Sequence, residues 1–127
     1  MNSSPFSVLV IEPQPLMRAA LCASIAAEAD LMVAAQALNG LEQVKAMRPS
    51  LILLALGNPG LEDLQAIRAL RQLLPGTSIL ALTSNEVAGQ EQAALAAGAQ
   101  TVLSKAAPRA ELLHALRNLR APHQAPQ

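Results

Sequence analysis

Short apolar runs rich in Val, Ile and Leu alternate with longer stretches of helical periodicity, and this alternation restricts the possible folds more than any other feature of the chain. An uninterrupted apolar run of four to six residues suits a strand buried on both faces. Strands of that kind separated by helices read as β-α-β units around a parallel sheet. Five strands are expected, at Ser7 to Ile11, Leu31 to Ala37, Leu51 to Leu54, Ser78 to Leu82 and Thr101 to Leu103. The second is alanine-rich and softer than the others, which sets it at a sheet edge.

Between the strands, Pro15 to Ala27 reads as a helix opened by proline, with Leu16, Ala20, Ala23 and Ala27 on one stripe and Met17, Leu21 and Ser24 beside it. Leu41 to Met47 is the shortest helical stretch. Leu61 to Leu73 places Leu64, Ile67, Leu70 and Leu74 on one face and stops at Pro75-Gly76. Val87 to Ala97 is alanine-rich and closed by Gly98, and Pro108 to Leu119 presents Leu112, Leu116 and Leu119 to the sheet. The simplest architecture is one five-stranded parallel sheet with a helix in each right-handed crossover. Residues 1–120 are expected to form this domain, and 121–127, made of Ala, Pro, His and Gln, to be a linker or a disordered tail.

Several function classes drop out on composition. Nine basic and nine acidic residues in 127 give zero formal net charge, so the chain lacks the basic footprint of a nucleic-acid binder or an anionic-membrane binder. No apolar stretch approaches the roughly 18 residues of a membrane span, and no leader is evident at Met1 to Phe6. A cytoplasmic protein is expected. Cys22 is the lone cysteine, which excludes an internal disulfide and reads as a small buried hydrophobe. His114 and His123 match no ligand spacing, so no metal site is expected.

In an open parallel sheet, ligands gather beyond the carboxyl ends of the strands. Those ends carry Glu12-Pro13, the Ala55 to Gly60 loop, Thr83-Ser84 and Lys105. Gly57-Asn58-Pro59-Gly60 is turn-rich but leads to no Gly-Lys-Ser/Thr sequence, so it is no phosphate cradle. Glu62 and Asp63 suit the positive end of the helix they open. Ser84 has no base or metal to activate it. No catalytic residue and no cofactor are expected.

Five pieces, taken in order, resemble the receiver domains of bacterial two-component response regulators. They are the run from Val8 to Arg18 including Glu12-Pro13, the run from Arg48 to Gly60 including Ala55-Leu56-Gly57, Leu80-Ala81-Leu82-Thr83, Ala97-Gly98-Ala99, and Leu103-Ser104-Lys105-Ala106-Ala107-Pro108. The likeness is greatest to the branch that carries a LuxR-type helix-turn-helix effector. It implies a flavodoxin-like (βα)5 three-layer α/β sandwich with sheet order 2-1-3-4-5. It also implies the site: an acid pair for Mg²⁺ at Glu12 and Pro13, a phosphoacceptor at Ala55, a hydroxyl at Thr83, a lysine at Lys105 and an aromatic switch position at Val102. Three of these positions hold the wrong residue for the family's chemistry. Pro13 removes one carboxylate, Ala55 has no nucleophile, and Val102 is not aromatic.

The resemblance therefore implies a degenerate receiver, a pseudo-receiver with a vacated pocket formed by Glu12, Pro13, Ala55, Gly57, Thr83 and Lys105. It would act in signal transduction or transcription control through contacts with a protein partner or a second copy. In the family those contacts use the fourth helix, fifth strand and fifth helix, here Val87 to Ala97, Thr101 to Leu103 and Pro108 to Leu119. The alternative is a sensor that takes a small ligand or anion into the vacated pocket. Lys105 is expected to pair with Glu12 across the pocket mouth, because an unpaired buried charge is costly.

Overall fold

Hydrogen bonding joins the apolar runs into one parallel sheet in the order β2-β1-β3-β4-β5, and the second strand is indeed at an edge. The computed structural model describes residues 6–37, 44, 47–57, 60–84 and 87–120. Its strands are β1 (Phe6–Ile11), β2 (Leu31–Ala37), β3 (Leu51–Ala55), β4 (Ser78–Thr83) and β5 (Thr101–Ser104). The described helices are α1 (Pro15–Ala26), α2 (Leu61–Leu73), α3 (Gln90–Ala97) and α4 (Arg109–Arg120). Most of the expected helix at 41–47 falls outside the described residues; Val44 and Met47 are helical, and Val44 is fully buried.

Period-two alternation in the central strands builds a core on each side of the sheet. Val8, Val10, Leu53 and Leu80 face α1 and α4, meeting Leu21, Ile25, Leu112 and Leu116. Leu9, Ile52, Leu54 and Ile79 face α2 and α3, meeting Leu64, Ile67, Leu70 and Ala94. Every residue of β3 and β4 is buried, which is why these runs show no polar alternation in the sequence. Each fully buried Leu or Ile contributes about 1.5–3 kcal/mol relative to exposure. The result is a flavodoxin-like three-layer α/β fold.

Two helices differ from expectation. In α1 the buried row is Leu21 and Ile25, with Met17 and Cys22 packed partly against the core, whereas Leu16 is 86% exposed and Ala20 and Ala23 face solvent. The alanines fit helical spacing equally well, but only the Met17-Leu21-Ile25 row carries enough apolar volume to fill the space against β1 and β2. Cys22 is half-buried rather than buried, and burial pushes its thiol pKa up. The helix expected from Val87 starts at Gln90 instead, because Gly89 adopts a left-handed backbone (φ +77°) at the N-cap and Val87 to Gly89 form a turn.

Polar staples hold the sheet's amino-terminal edge and flank. The Arg71 guanidinium donates to the carbonyls of Gly98, Pro75 and Thr77 and to Gln100 Oε1, tying the end of α2 to the end of α3. Gly98 (φ +132°) ends α3 there, and a Cβ at this position would meet Arg71 Cβ at 3.1 Å. Across the other face, Arg117 and Arg120 of α4 pair with Asp30, and Arg117 and Arg109 pair with Glu28. The Arg117 guanidinium holds the Asp30 carboxyl down at about 2.

Candidate functional site

The carboxyl ends of β1, β3 and β5 converge on a cavity of about 330 Å³ lined by Glu12, Pro13, Gln14, Ala55, Leu56, Gly57, Ser84 and Lys105. The order of winding reverses between β1 and β3, and an open α/β sheet leaves its crevice at such a point. Of the expected site residues, Glu12, Pro13, Ala55, Gly57 and Lys105 meet here. Thr83 lines a neighbouring cavity of about 270 Å³ with Val87, Gly89 and Gln90, and Val102 packs half-buried against the α2–α3 core.

Glu12 is 1% exposed and is held from two directions. Its Oε2 accepts from the Gln14 N–H at 2.8 Å, and its carbonyl oxygen accepts from Arg18 Nη1 at 2.8 Å. Its Oε1 has no hydrogen bond and lies 3.9 Å from Lys105 Nζ. That separation permits Coulombic attraction but exceeds hydrogen-bond length. The expected pairing of Glu12 with Lys105 is thus present as an ion pair, with Lys105 24% exposed at the rim. Pro13 is exposed and has no acid to add. The Ala55 methyl, 3% exposed, offers the cavity neither a lone pair nor a proton.

The loop beyond Ala55 is organised by side chains that sequence reasoning passed over. Asp63 in the first turn of α2 accepts the Gly57 N–H on Oδ2 at 2.7 Å, so it does more than suit the helix dipole. Gln90 is 3% exposed; its Nε2 donates to the Gly57 carbonyl at 2.9 Å, and its Oε1 accepts the Thr83 hydroxyl. Thr83 is 2% exposed, and its carbonyl accepts the Lys105 N–H at 2.7 Å, joining the ends of β4 and β5. Nothing in the local sequence marks Gln90, since its partners lie 7 and 33 residues away.

A doubly wound parallel sheet with an acid, a hydroxyl and a lysine at the carboxyl ends of β1, β4 and β5 defines the class of domain, a flavodoxin-like α/β domain. The chain belongs to the response regulator receiver domain family, whose model matches residues 8–117. It is 32% identical over 119 residues to the transcriptional activator protein ExaE of Pseudomonas putida, covering 91% of this chain and 56% of that protein. It is 30% identical over 118 residues to the nitrate/nitrite response regulator protein NarL of Escherichia coli K12, covering 91% and 55%. The chain spans about half the length of these curated relatives. Among solved structures, the signal receiver domain of a NarL from Mycobacterium tuberculosis superposes with a TM-score of 0.83 at 26% identity, covering 94% of this chain and 100% of that one. The chain is therefore the receiver domain of a response regulator in two-component signalling. Among the described residues, no helix is long and apolar enough to cross a membrane.

Proposed function

We propose that this receiver cannot accept a phosphoryl group at the family's usual position and that it transmits its signal through protein contacts. The observation that carries the reading is Ala55, which ends β3 on the wall of the cavity between Glu12 and Lys105. Acyl phosphate formation requires a carboxylate oxygen to attack phosphorus, and a methyl group has no electron pair for that step.

The family's Mg²⁺ does not fit the residues present. Magnesium takes near-octahedral oxygen coordination and is bound through one or two carboxylates plus phosphate oxygens. Here one buried carboxylate remains, and its open oxygen faces an ammonium 3.9 Å away. Lys105 serves instead as the counter-ion of Glu12.

On this reading the domain comprises residues 1–120 with 121–127 as a linker or tail, works in the cytoplasm, and has no catalytic, cofactor or direct nucleic-acid role. Its partner, another protein or a second copy, docks on the face formed by α3, β5 and α4. Support for that face comes from Leu95 of α3, an apolar side chain that is 43% exposed, with the small Ala96 exposed next to it in the chain. Incubation with acetyl phosphate and Mg²⁺ followed by intact-mass measurement tests the reading. The mass is expected to stay unchanged, and a single-phosphate adduct would refute it.

A further inference from the structure

Thr83 ends β4 where the family keeps a hydroxyl, yet this hydroxyl is turned into the protein and donated to the Gln90 carboxamide oxygen. The other end of the same carboxamide donates to the Gly57 carbonyl, and the Gly57 N–H is in turn held by Asp63. One buried amide therefore joins the end of β4, the loop after β3 and the first residue of α3. The backbone is shaped around it. Gly60 adopts φ +81°, and a Cβ there would sit 2.7 Å from Gln90 Nε2 and 2.8 Å from the Gly57 carbonyl oxygen, so the loop admits the amide only because residue 60 is glycine. Gly89, also left-handed at φ +77°, begins the helix one residue before Gln90 and lets that side chain enter the interior.

We propose that Gln90 is a built-in latch: its carboxamide occupies the Thr83 hydroxyl and the Gly57 carbonyl together, fixing the cavity mouth and the start of α3 in one arrangement without any bound group. A carboxamide suits the task because it carries an acceptor and a donor side by side on one plane, able to satisfy one hydroxyl and one carbonyl at once. Such a chain of buried hydrogen bonds rigidifies what it joins when every member is satisfied. The α3–β5–α4 face is then presented in a single form. The latch deepens the reading of a receiver that signals without phosphate and rests on it for its biological meaning, while the contact itself stands on the hydrogen bonds alone.

Residue-resolved amide hydrogen exchange on the full chain tests the latch in Gln90→Ala and in Thr83→Val, which removes the hydroxyl while keeping the shape. Both variants are expected to exchange at least about tenfold faster at Gly57 and Ala93, with a smaller change at Leu53 in the centre of the sheet, because local opening is governed by local contacts. Acceleration that is equal at Leu53 and at these amides would overturn the latch, as would unchanged exchange in the milder Thr83→Val variant. A phosphate adduct in the mass experiment would sink the phosphate-silent reading without moving the exchange result, so the two failures are distinguishable.

Discussion

Replacing Lys105 with Met removes the positive partner of a carboxylate that is 1% exposed. At 3.9 Å and an effective dielectric of roughly 20, the gross attraction of the pair is about 4 kcal/mol. Two features reduce the net value. The ammonium keeps a quarter of its exposure, and the separation is too long for a charge-assisted hydrogen bond. Losing one partner of a fully buried pair costs about 3–5 kcal/mol, so Lys105→Met, acting on a half-open pair, is expected to cost about 2 kcal/mol. Glu12→Gln keeps the shape, and an amide can still lie beside the Gln14 N–H, so it should cost about 1 kcal/mol. The double variant should be more stable than the sum of the two losses predicts, with a coupling of about 1 kcal/mol, because an uncharged pair leaves no isolated charge inside. Urea unfolding of the four proteins, with m-values compared to confirm a common unfolded state, provides the measurement. Single losses that add to within about 0.3 kcal/mol would show that the two charges do not sense each other and would remove Lys105 as the counter-ion.

Two further outcomes follow from the packing and from the ion pairs on the flank. Ile25→Ala, at a fully buried site, is expected to cost about 2–5 kcal/mol in urea unfolding, whereas Leu16→Ala, 86% exposed, should stay within about 0.5 kcal/mol; equal losses would mean that α1 buries the stripe suggested by the sequence. The Asp30 pKa lies at about 2 against an ordinary 3.8, chiefly through its hydrogen bond to Arg117. Its stabilisation is therefore complete above 3.8 and lost as the pH falls toward 2. Asp30→Asn should flatten the fall in Tm across that window, and added salt should shrink the difference between the two proteins at neutral pH, since the pair is exposed.

The five strands were legible because a central parallel strand must bury both faces. Leu51 to Leu54 and Ser78 to Leu82 therefore carry runs that no exposed segment would tolerate, and the structure extends each of these two by one residue, to Ala55 and Thr83. The softness of Leu31 to Ala37 marked the edge for the same reason, an edge strand having one neighbour fewer. The composition of the cleft could also be read in advance. Strand ends are local features, and the identities of Pro13, Ala55 and Val102 concern what a residue is rather than where it points.

Orientation and long-range pairing belonged to the tertiary structure. Helical spacing in α1 fits two stripes, and only the volume between the helix and β1 selected Leu21 and Ile25. Nothing in the local sequence singles out Gln90, and Asp63 reads as an ordinary helix-opening acid. Their roles arise because folding brings Gly57 within hydrogen-bond reach of both, across 33 and 6 residues of chain. Sequence by itself determined the sheet, its layering and the methyl group at the end of β3, because those depend on burial and side-chain identity. The closing of the Thr83 hydroxyl onto a buried amide was decided only in three dimensions, because a hydrogen bond between distant residues leaves no periodicity to read.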